Sequence, residues 1–381
     1  MAPSRRRCLY LEPFFGGSHR EFAEGWIEHS RHEIELHSLP ARFWKWRMRG
    51  AALHFAQAVP DPSLFDALIT TDMLSLADLK ALWGRSCPPC LVYFHENQLT
   101  YPLAAASRVD LQYGFTNLTT ALSADRVLFN SQSHYEAFFA ALPQFLRRMP
   151  EFRPHWAIET IRARSAVRYP GCRLPSAPEG RPEAIPLPPL GEIPLVVWNH
   201  RWEFDKRPDV FFSVLAEVEA RGVEFRLALL GENYQKVPKE FIAARERWPG
   251  RVVQYGFLAE RSAYLDWLRR GAVVVSTAAQ ENFGVSVVEA VRLGCFPLLP
   301  RRLSYPELLP AGFHPHCLYS SEADLADRLE TVLRALPQAG SPYRDRLREL
   351  ALSMDRFSWE RAIGDFDGEL DALGAPRAPH R

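Results

Sequence analysis

Seven prolines crowd one short stretch of the chain, at positions 175, 178, 182, 186, 188, 189 and 194, with Gly180 and Gly191 among them. Proline lacks a backbone donor and fixes φ, so such a stretch is neither a helix interior nor a central strand. It reads as a linker between two bodies. The 381 residues exceed what a single core ordinarily holds, and each half is long enough for its own. The expected division is residues 1–175, a linker over 176–194, a second domain over 195–355, and a C-terminal helix over 356–381 that packs back across the linker.

Both halves carry the same local pattern. Arg7 to Glu12 reads as a strand, runs into the glycine turn Phe14-Phe15-Gly16-Gly17-Ser18-His19, and is followed by an amphipathic stretch from Arg20 to Ser30. Further apolar runs follow at Ala67–Thr70, Leu91–Phe94 and Arg126–Phe129, separated by helical segments. After the prolines the pattern restarts at Leu195–Trp198, with a helix from Pro208 to Ala220 and runs at Arg226–Leu230, Val252–Tyr255 and Ala272–Val275. Short, wholly apolar strands alternating with helices predict an α/β fold of two open parallel sheets. Two such Rossmann-like sheets joined by one hinge are expected to leave an interdomain cleft at their strand C-terminal ends.

Composition excludes several classes. A net charge of +1 argues against wholesale capture by polyanions, yet residues 1–175 hold 20 Lys/Arg against 16 Asp/Glu and residues 176–381 hold 26 against 29. The first half is thus mildly basic and the second mildly acidic. Six cysteines in so long a chain fit a reducing cytoplasm. Cys87-Pro-Pro-Cys90 has redox or zinc spacing, but no second pair at ligand distance accompanies it, and it is read as a loop. The basic start Arg5-Arg6-Arg7 is followed by too short an apolar run for a signal peptide, and no stretch approaches a membrane span.

The most informative segment is Glu281-Asn282-Phe283-Gly284-Val285-Ser286-Val287-Val288-Glu289, between a buried strand and an apolar helix. The amides of Asn282, Phe283 and Gly284 would open that helix, where unpaired donors and the helix dipole favour a diphosphate. Val285 and Ser286 belong to the same opening, and Gly231 ends a neighbouring strand. Glu281 can reach sugar hydroxyls and Glu289 a ribose diol, although alone both also read as an ordinary loop and helix position. Arg201 and Lys206 follow the first strand of the second half, where two cations can clamp phosphates and steady a leaving diphosphate.

Together these residues resemble the C-terminal domain of retaining glycosyltransferase family 4, which has a GT-B fold. The resemblance implies a nucleotide-diphosphate sugar donor and no metal ion. It assigns Glu281 to the donor sugar, Glu289 to the ribose, Arg201 and Lys206 to the diphosphate, and the Gly16-Gly17 loop to the phosphates from the other domain.

The first half carries a narrower resemblance. Leu11–His19, Leu39–Arg49, Thr71-Asp72-Met73-Leu74, Tyr93–Pro102 and Phe129-Asn130-Ser131 are similar to the tRNA-queuosine mannosyltransferase family, also called glycosyltransferase-like domain-containing protein 1. The implied activity is transfer of mannose from GDP-mannose to the cyclopentenediol of queuosine in the anticodon of an aspartate tRNA, with retention of configuration. It also implies that His95, at a strand end, stabilises charge developing at the anomeric centre.

Residue chemistry supports an RNA acceptor in part. Arg42, Lys45, Arg47 and Arg49 are interleaved with Phe43, Trp44 and Trp46 and no acid, which suits phosphates beside unpaired bases. Partly buried tryptophans with solvated charges would give the same string. Arg147, Arg148, Arg153, Arg162, Arg164 and Arg168 could extend this surface, and His19, Asn97 and Gln98 are further candidate contacts. Two other readings stay open: a family 4 enzyme with a lipid, polysaccharide or small-molecule acceptor, and an RNA-binding protein that has lost catalysis. Mannose and guanine rest on the resemblance alone.

Overall fold

A computed structural model describes residues 5–102, 110–175, 185, 187–232 and 237–373. Most of the expected linker, residues 176–184 and 186, lies outside them. The chain forms two compact units, one of residues 1–173 with 357–381 and one of residues 174–356.

The first unit alternates β1 (Arg7–Phe15), α1 (Gly17–His29), β2 (Glu33–Pro40), α2 (Trp44–Ala58), β3 (Ala67–Thr71), α3 (Leu76–Trp83), β4 (Cys90–Phe94), α4 (Leu111–Ser123), β5 (Arg126–Phe129), α5 (Gln132–Arg147), α6 (Trp156–Arg162) and β6 (Ser165–Val167). All six strands are parallel, in the order β2-β1-β3-β4-β5-β6. The inner strands β3 and β4 are buried at every residue because helices cover both sheet faces. Successive side chains point to opposite faces, so the two cores share strands residue by residue. Leu9, Leu11, Leu68, Val92, Val127 and Phe129 face one core; Cys8, Tyr10, Ile69, Leu91, Tyr93 and Leu128 face the other.

The second unit runs β7 (Leu195–Trp198), α7 (Pro208–Ala220), β8 (Arg226–Leu229), α8 (Lys239–Arg247), β9 (Val252–Tyr255), α9 (Arg261–Arg270), β10 (Val273–Val275), α10 (Val285–Arg292), β11 (Phe296–Pro300), α11 (Tyr305–Leu308), α12 (His314–Cys317), β12 (Leu318–Tyr319), α13 (Glu322–Ala335) and α14 (Pro342–Ser353). Its strands are again all parallel, ordered β12-β11-β10-β7-β8-β9. No helix among the described residues is long and apolar enough to cross a membrane.

The last helix, α15 (Trp359–Ala372), belongs to the first unit, where Trp359, Phe366 and Leu370 complete the core around Tyr10, Phe22, Trp26 and Tyr93. Its acidic residues are fastened as well. Glu369 accepts from Arg126 and Arg168, and Asp367 from Ser30 and Arg31. The Trp359 indole lies against two glycines: a Cβ at Gly25 would sit 2.0 Å from its Nε1, and one at Gly171 would sit 2.1 Å from its Cδ2. Neither position has room for a side chain, and the indole cannot swing aside in a close-packed core. Gly25→Ala is therefore expected to cost about 1–3 kcal/mol and to lower the melting temperature of this unit by about 5 °C. Thermal unfolding followed by circular dichroism checks it, and adding Trp359→Phe should recover part of the loss.

Candidate active site

In each sheet the strand order reverses at one place, and in open α/β sheets ligands bind beyond the strand C-terminal ends at such a reversal. In the second unit the reversal lies between β7 and β10, which are neighbours although the chain leaves β7 for β8 and β10 for β11. The two segments that emerge, residues 199–207 and 276–284, hold half of the residues expected from the sequence to bind a donor: Arg201, Lys206, Glu281, Asn282, Phe283 and Gly284.

Lys206 is central. Its side chain is 8% exposed, and Nζ donates to the Gln280 carbonyl at 2.6 Å while pairing with Asp205 at 3.2 Å and Glu281 at 3.3 Å. Burial alone would lower the Lys206 pKa, but Glu281 and Asp205 outweigh it and hold the ammonium charged. Burial likewise would raise Glu281, and Lys206, His200 and Arg201 overcome it to keep the carboxylate ionised. His200 is pushed down to about 4 by burial and by Lys206, so it is neutral. Arg201 is half exposed, with Glu203 at 3.4 Å.

Gly284 sits at φ +105°, a left-handed conformation that favours glycine, and turns the chain into α10. The amides of Val285 and Ser286 open that helix with no backbone acceptor among the described residues. The Phe283 carbonyl accepts from Ser304 at 2.8 Å, and Gln280 donates to the Asn282 side chain at 3.0 Å, which pins the turn. Gly231 lies two residues past β8, where a Cβ would meet the His200 carbonyl at 2.1 Å, so the two strand-end turns approach closely.

Glu289, one turn into α10, is 6% exposed. It accepts from Arg261 at 2.7 Å and from the Tyr264 hydroxyl at 3.1 Å, and Asn199 donates to that hydroxyl at 3.1 Å and to the Ser286 carbonyl at 2.6 Å. Asn199, Asp205, Arg261 and Tyr264 were not singled out in the sequence. Only folding brings Arg261 and Tyr264 of α9 to Glu289, and Asn199 after β7 was the one signal available.

In the first unit the order reverses between β1 and β3. Glu12, fully buried in β1, accepts from the Phe14 amide at 2.8 Å and lies 3.3 Å from His19 Nδ1. Burial alone would lower His19, and Glu12 outweighs it, lifting the imidazole to about 9. The His19 and His95 rings are 4.1 Å apart between centroids. Burial, then the charge on His19, holds His95 well below its ordinary value and hence neutral. Potential ligand atoms of Glu12, His19 and His95 lie within 4.8 Å of one another and could together hold a metal ion.

The His95 turn is held from two neighbouring strand ends. Asp72 after β3 accepts from the His95 amide at 2.8 Å, Asn130 after β5 donates to the His95 carbonyl at 2.9 Å, and His134 bonds Asn130 at 2.7 Å. Asn117 of α4 accepts from the Gln98 amide at 2.7 Å and donates to the Asp72 carbonyl at 3.1 Å. Burial raises Asp72 to about 8. Asn97 is 1% exposed and its side chain closes its own turn by accepting from Leu99 and Thr100, so its amide is engaged locally. The Gln98 side chain donates to Glu96 at 3.1 Å. Gly16 is extended at φ −176°, and a Cβ there would meet the Ala41 Cβ at 2.5 Å; Gly17 takes a positive φ of 50°.

The aromatic and basic string forms the start of α2, at the same edge of the sheet as His95. Phe43 and Trp46 are 70% and 75% exposed, whereas Trp44 packs on Tyr113 of α4 with centroids 5.0 Å apart. Lys45 lies over both rings and Arg49 over Tyr113, with Arg49 also bonding Gln112. Arg42 stands over the Phe43 ring, and Arg47 donates to the Pro40 carbonyl. Tyr113 and Gln112, more than sixty residues along the chain, complete a surface that the string alone did not show. Three of the arginines read as its extension are taken up internally: Arg164 by the carbonyls of Leu122 and Ala124, Arg168 by Glu369, and Arg162 over the Phe139 ring.

The family model for the N-terminal region of tRNA-queuosine alpha-mannosyltransferase matches residues 7–172. The chain is 37% identical over 370 residues to the tRNA-queuosine alpha-mannosyltransferase of Drosophila melanogaster, covering 95% of this chain and 96% of that one. A granule-bound starch synthase of Zea mays is 23% identical over 199 residues, 50% of this chain and 32% of its own. Among solved structures, sucrose-phosphate synthase from Thermosynechococcus elongatus superposes with a TM-score of 0.70 at 14% identity, over 95% of this chain and 98% of its own. Anabaena HepE in complex with UDP-glucose gives 0.66 at 15% identity, over 97% and 100%. The fold is that of the GT-B glycosyltransferases, and the chain belongs to the tRNA-queuosine alpha-mannosyltransferase family.

Proposed function

We propose that this glycosyltransferase moves mannose from GDP-mannose to the cyclopentenediol of queuosine in the anticodon of an aspartate tRNA, with retention of configuration, in the cytoplasm. The observation that carries the reading is the 37% identity to a tRNA-queuosine alpha-mannosyltransferase across 95% of the chain, which spans both units. In the second unit, the α10 amides with Arg201 and Lys206 present positive potential to a diphosphate. Glu281, kept ionised by Lys206, orients sugar hydroxyls rather than attacking the anomeric carbon. The leaving phosphate accepts the proton of the acceptor hydroxyl. In the first unit, a neutral His95 offers a hydrogen bond without repelling the positive charge that develops on the sugar, and the Arg42–Arg49 surface with Tyr113 receives the anticodon loop.

The direct test supplies GDP-mannose or UDP-galactose to tRNA with and without queuosine and looks for the mass gain of one hexose. Product is expected only with GDP-mannose and queuosine-bearing tRNA; product on queuosine-free tRNA removes the proposed acceptor.

The two cations should separate by variant. Arg201→Ala is expected to lower kcat about 10²- to 10³-fold with tRNA binding and melting temperature unchanged. Lys206→Ala should also abolish turnover, but it strands Asp205 and Glu281 and should destabilise the second unit by about 3 kcal/mol. Replacing Lys45 and Arg47 with Gln is expected to weaken tRNA binding and flatten its salt dependence while the KM for GDP-mannose stays the same. An unchanged salt slope would count against that surface.

We further infer that these protein cations carry the diphosphate charge without a metal ion. Transfer should survive dialysis against EDTA; a loss restored by a divalent cation would refute this and would direct attention to Glu12, His19 and His95.

A further inference from the structure

Among the described residues, few large apolar side chains are as exposed as two that stand four residues apart, one in the α5–α6 connection and one opening α6. Phe152 is 88% exposed and Trp156 is 63% exposed, and neither ring packs on another among the described residues. Phe152 also takes a left-handed φ of 48°, an uncommon conformation for a bulky residue. Nothing in the core explains either exposure. A chain gains nothing by holding such rings in water, and two of them four residues apart beside exposed arginines point to a contact surface.

The charges around them say what the surface suits. Arg147 and Arg148 are exposed and have no acceptor for their guanidinium groups among the described residues, and Arg153 is exposed with only its Nε engaged, on the Met149 carbonyl at 2.9 Å. Of the nearby acids, Glu159 already faces Arg162 at 3.7 Å, which leaves Glu151 alone against three arginines. Arg162, Arg164 and Arg168 are committed within the fold, so the uncommitted positive charge is concentrated beside the two exposed rings. Cations for phosphates next to flat faces for unstacked bases or riboses is the combination that RNA fits.

We propose that the surface formed by Arg147, Arg148, Phe152, Arg153 and Trp156 is a second contact for the RNA acceptor, remote from the anticodon. It deepens the queuosine-tRNA reading and rests on it. Its distance from the catalytic edge follows from topology. α5 starts beyond the C-terminal end of β5 and runs back for 16 residues, about 24 Å, so its far end lies at the opposite edge of the sheet. The His95 turn and the Arg42–Arg49 surface lie at the first edge, and only a ligand extended over a comparable length reaches both. The two surfaces share a device: Phe43, beside Arg42, and Phe152, beside Arg153, are both exposed phenylalanines with positive φ shortly before a helix.

The test compares two substrates, whole queuosine-bearing tRNA and the isolated queuosine-bearing anticodon stem-loop, with two variants, Phe152→Ser/Trp156→Ser and Arg147→Gln/Arg148→Gln. All four positions are exposed, so the fold should stand, and thermal unfolding verifies it. Both variants are expected to raise KM for whole tRNA about tenfold and to leave KM for the stem-loop unchanged. The arginine variant should also lower the salt slope of whole-tRNA binding by about two. An unchanged KM for whole tRNA overturns the proposal, as does an equal rise for both substrates, which would place the effect at the catalytic edge. Loss of a protein partner with unaltered RNA kinetics overturns it in favour of a protein-docking surface. Wild-type enzyme that modifies neither RNA overturns the parent reading and this one with it, whereas wild-type activity without a variant effect refutes only the remote contact.

Discussion

A lysine ammonium almost wholly removed from water stays charged only where acids accompany it. Lys206 has Asp205 and Glu281, and that requirement ties the turn after β7 to the segment after β10. Uncharged hydrogen bonds clasp the same two segments: Thr277 donates from its hydroxyl to the Lys206 and Arg207 carbonyls, and the Ala279 amide donates to the Asp205 carbonyl at 2.7 Å. Charge and backbone thus fix one cation against the opening of α10. Arg201, half exposed, adds a second cation to the same turn, with Glu203 at 3.4 Å.

The first unit solves a different problem with different chemistry. Its strand ends carry buried carboxylates and histidines instead of a buried lysine. Glu12 places a positive charge on His19, and burial, reinforced by that charge, keeps His95 neutral. The His95 turn is fixed through its backbone by Asp72 and Asn130, so the imidazole position depends on β3 and β5 as much as on β4. His134, pushed down to about 3 by burial, supports Asn130 as a neutral ring. Polar groups this deep hold geometry because leaving any one of them unpaired is costly.

Much of the fold was legible because buried parallel strands must be apolar on both faces. Arg126–Phe129 and Leu195–Trp198 stand where the apolar runs placed them, and α7 matches Pro208–Ala220. β2 and β6 escaped notice for the same reason in reverse: as edge strands they are half solvated, and β2 alternates polar and apolar residues instead of showing a solid run. β1 extends to Phe15, past the Glu12-Pro13 pair read as its end, with its register to β2 shifting between Glu12 and Phe15. In the candidate site, Glu281, Gly284, Arg201 and Lys206 could be named because each follows a strand closely in the chain. Asp72, Asn117, Asn130, Arg261, Tyr264 and Tyr113 could not be given roles, since their partners lie on other strands or helices.

By itself the sequence determined two parallel α/β sheets, the glycine-opened helix at Gly284 and the cations beside the first strand of the second half, because strand burial, glycine φ and helix-end dipoles are local or periodic properties. Tertiary structure alone decided that α15 completes the first unit's core through Trp359 and two glycines, that Glu289 is held by Arg261 and Tyr264, and which arginines remain uncommitted. The physical reason is that pairing and packing are settled by distance in space: a charge of given sequence context is a solvated head group or a buried strut according to which carbonyl or carboxylate the folded chain brings within 3 Å of it.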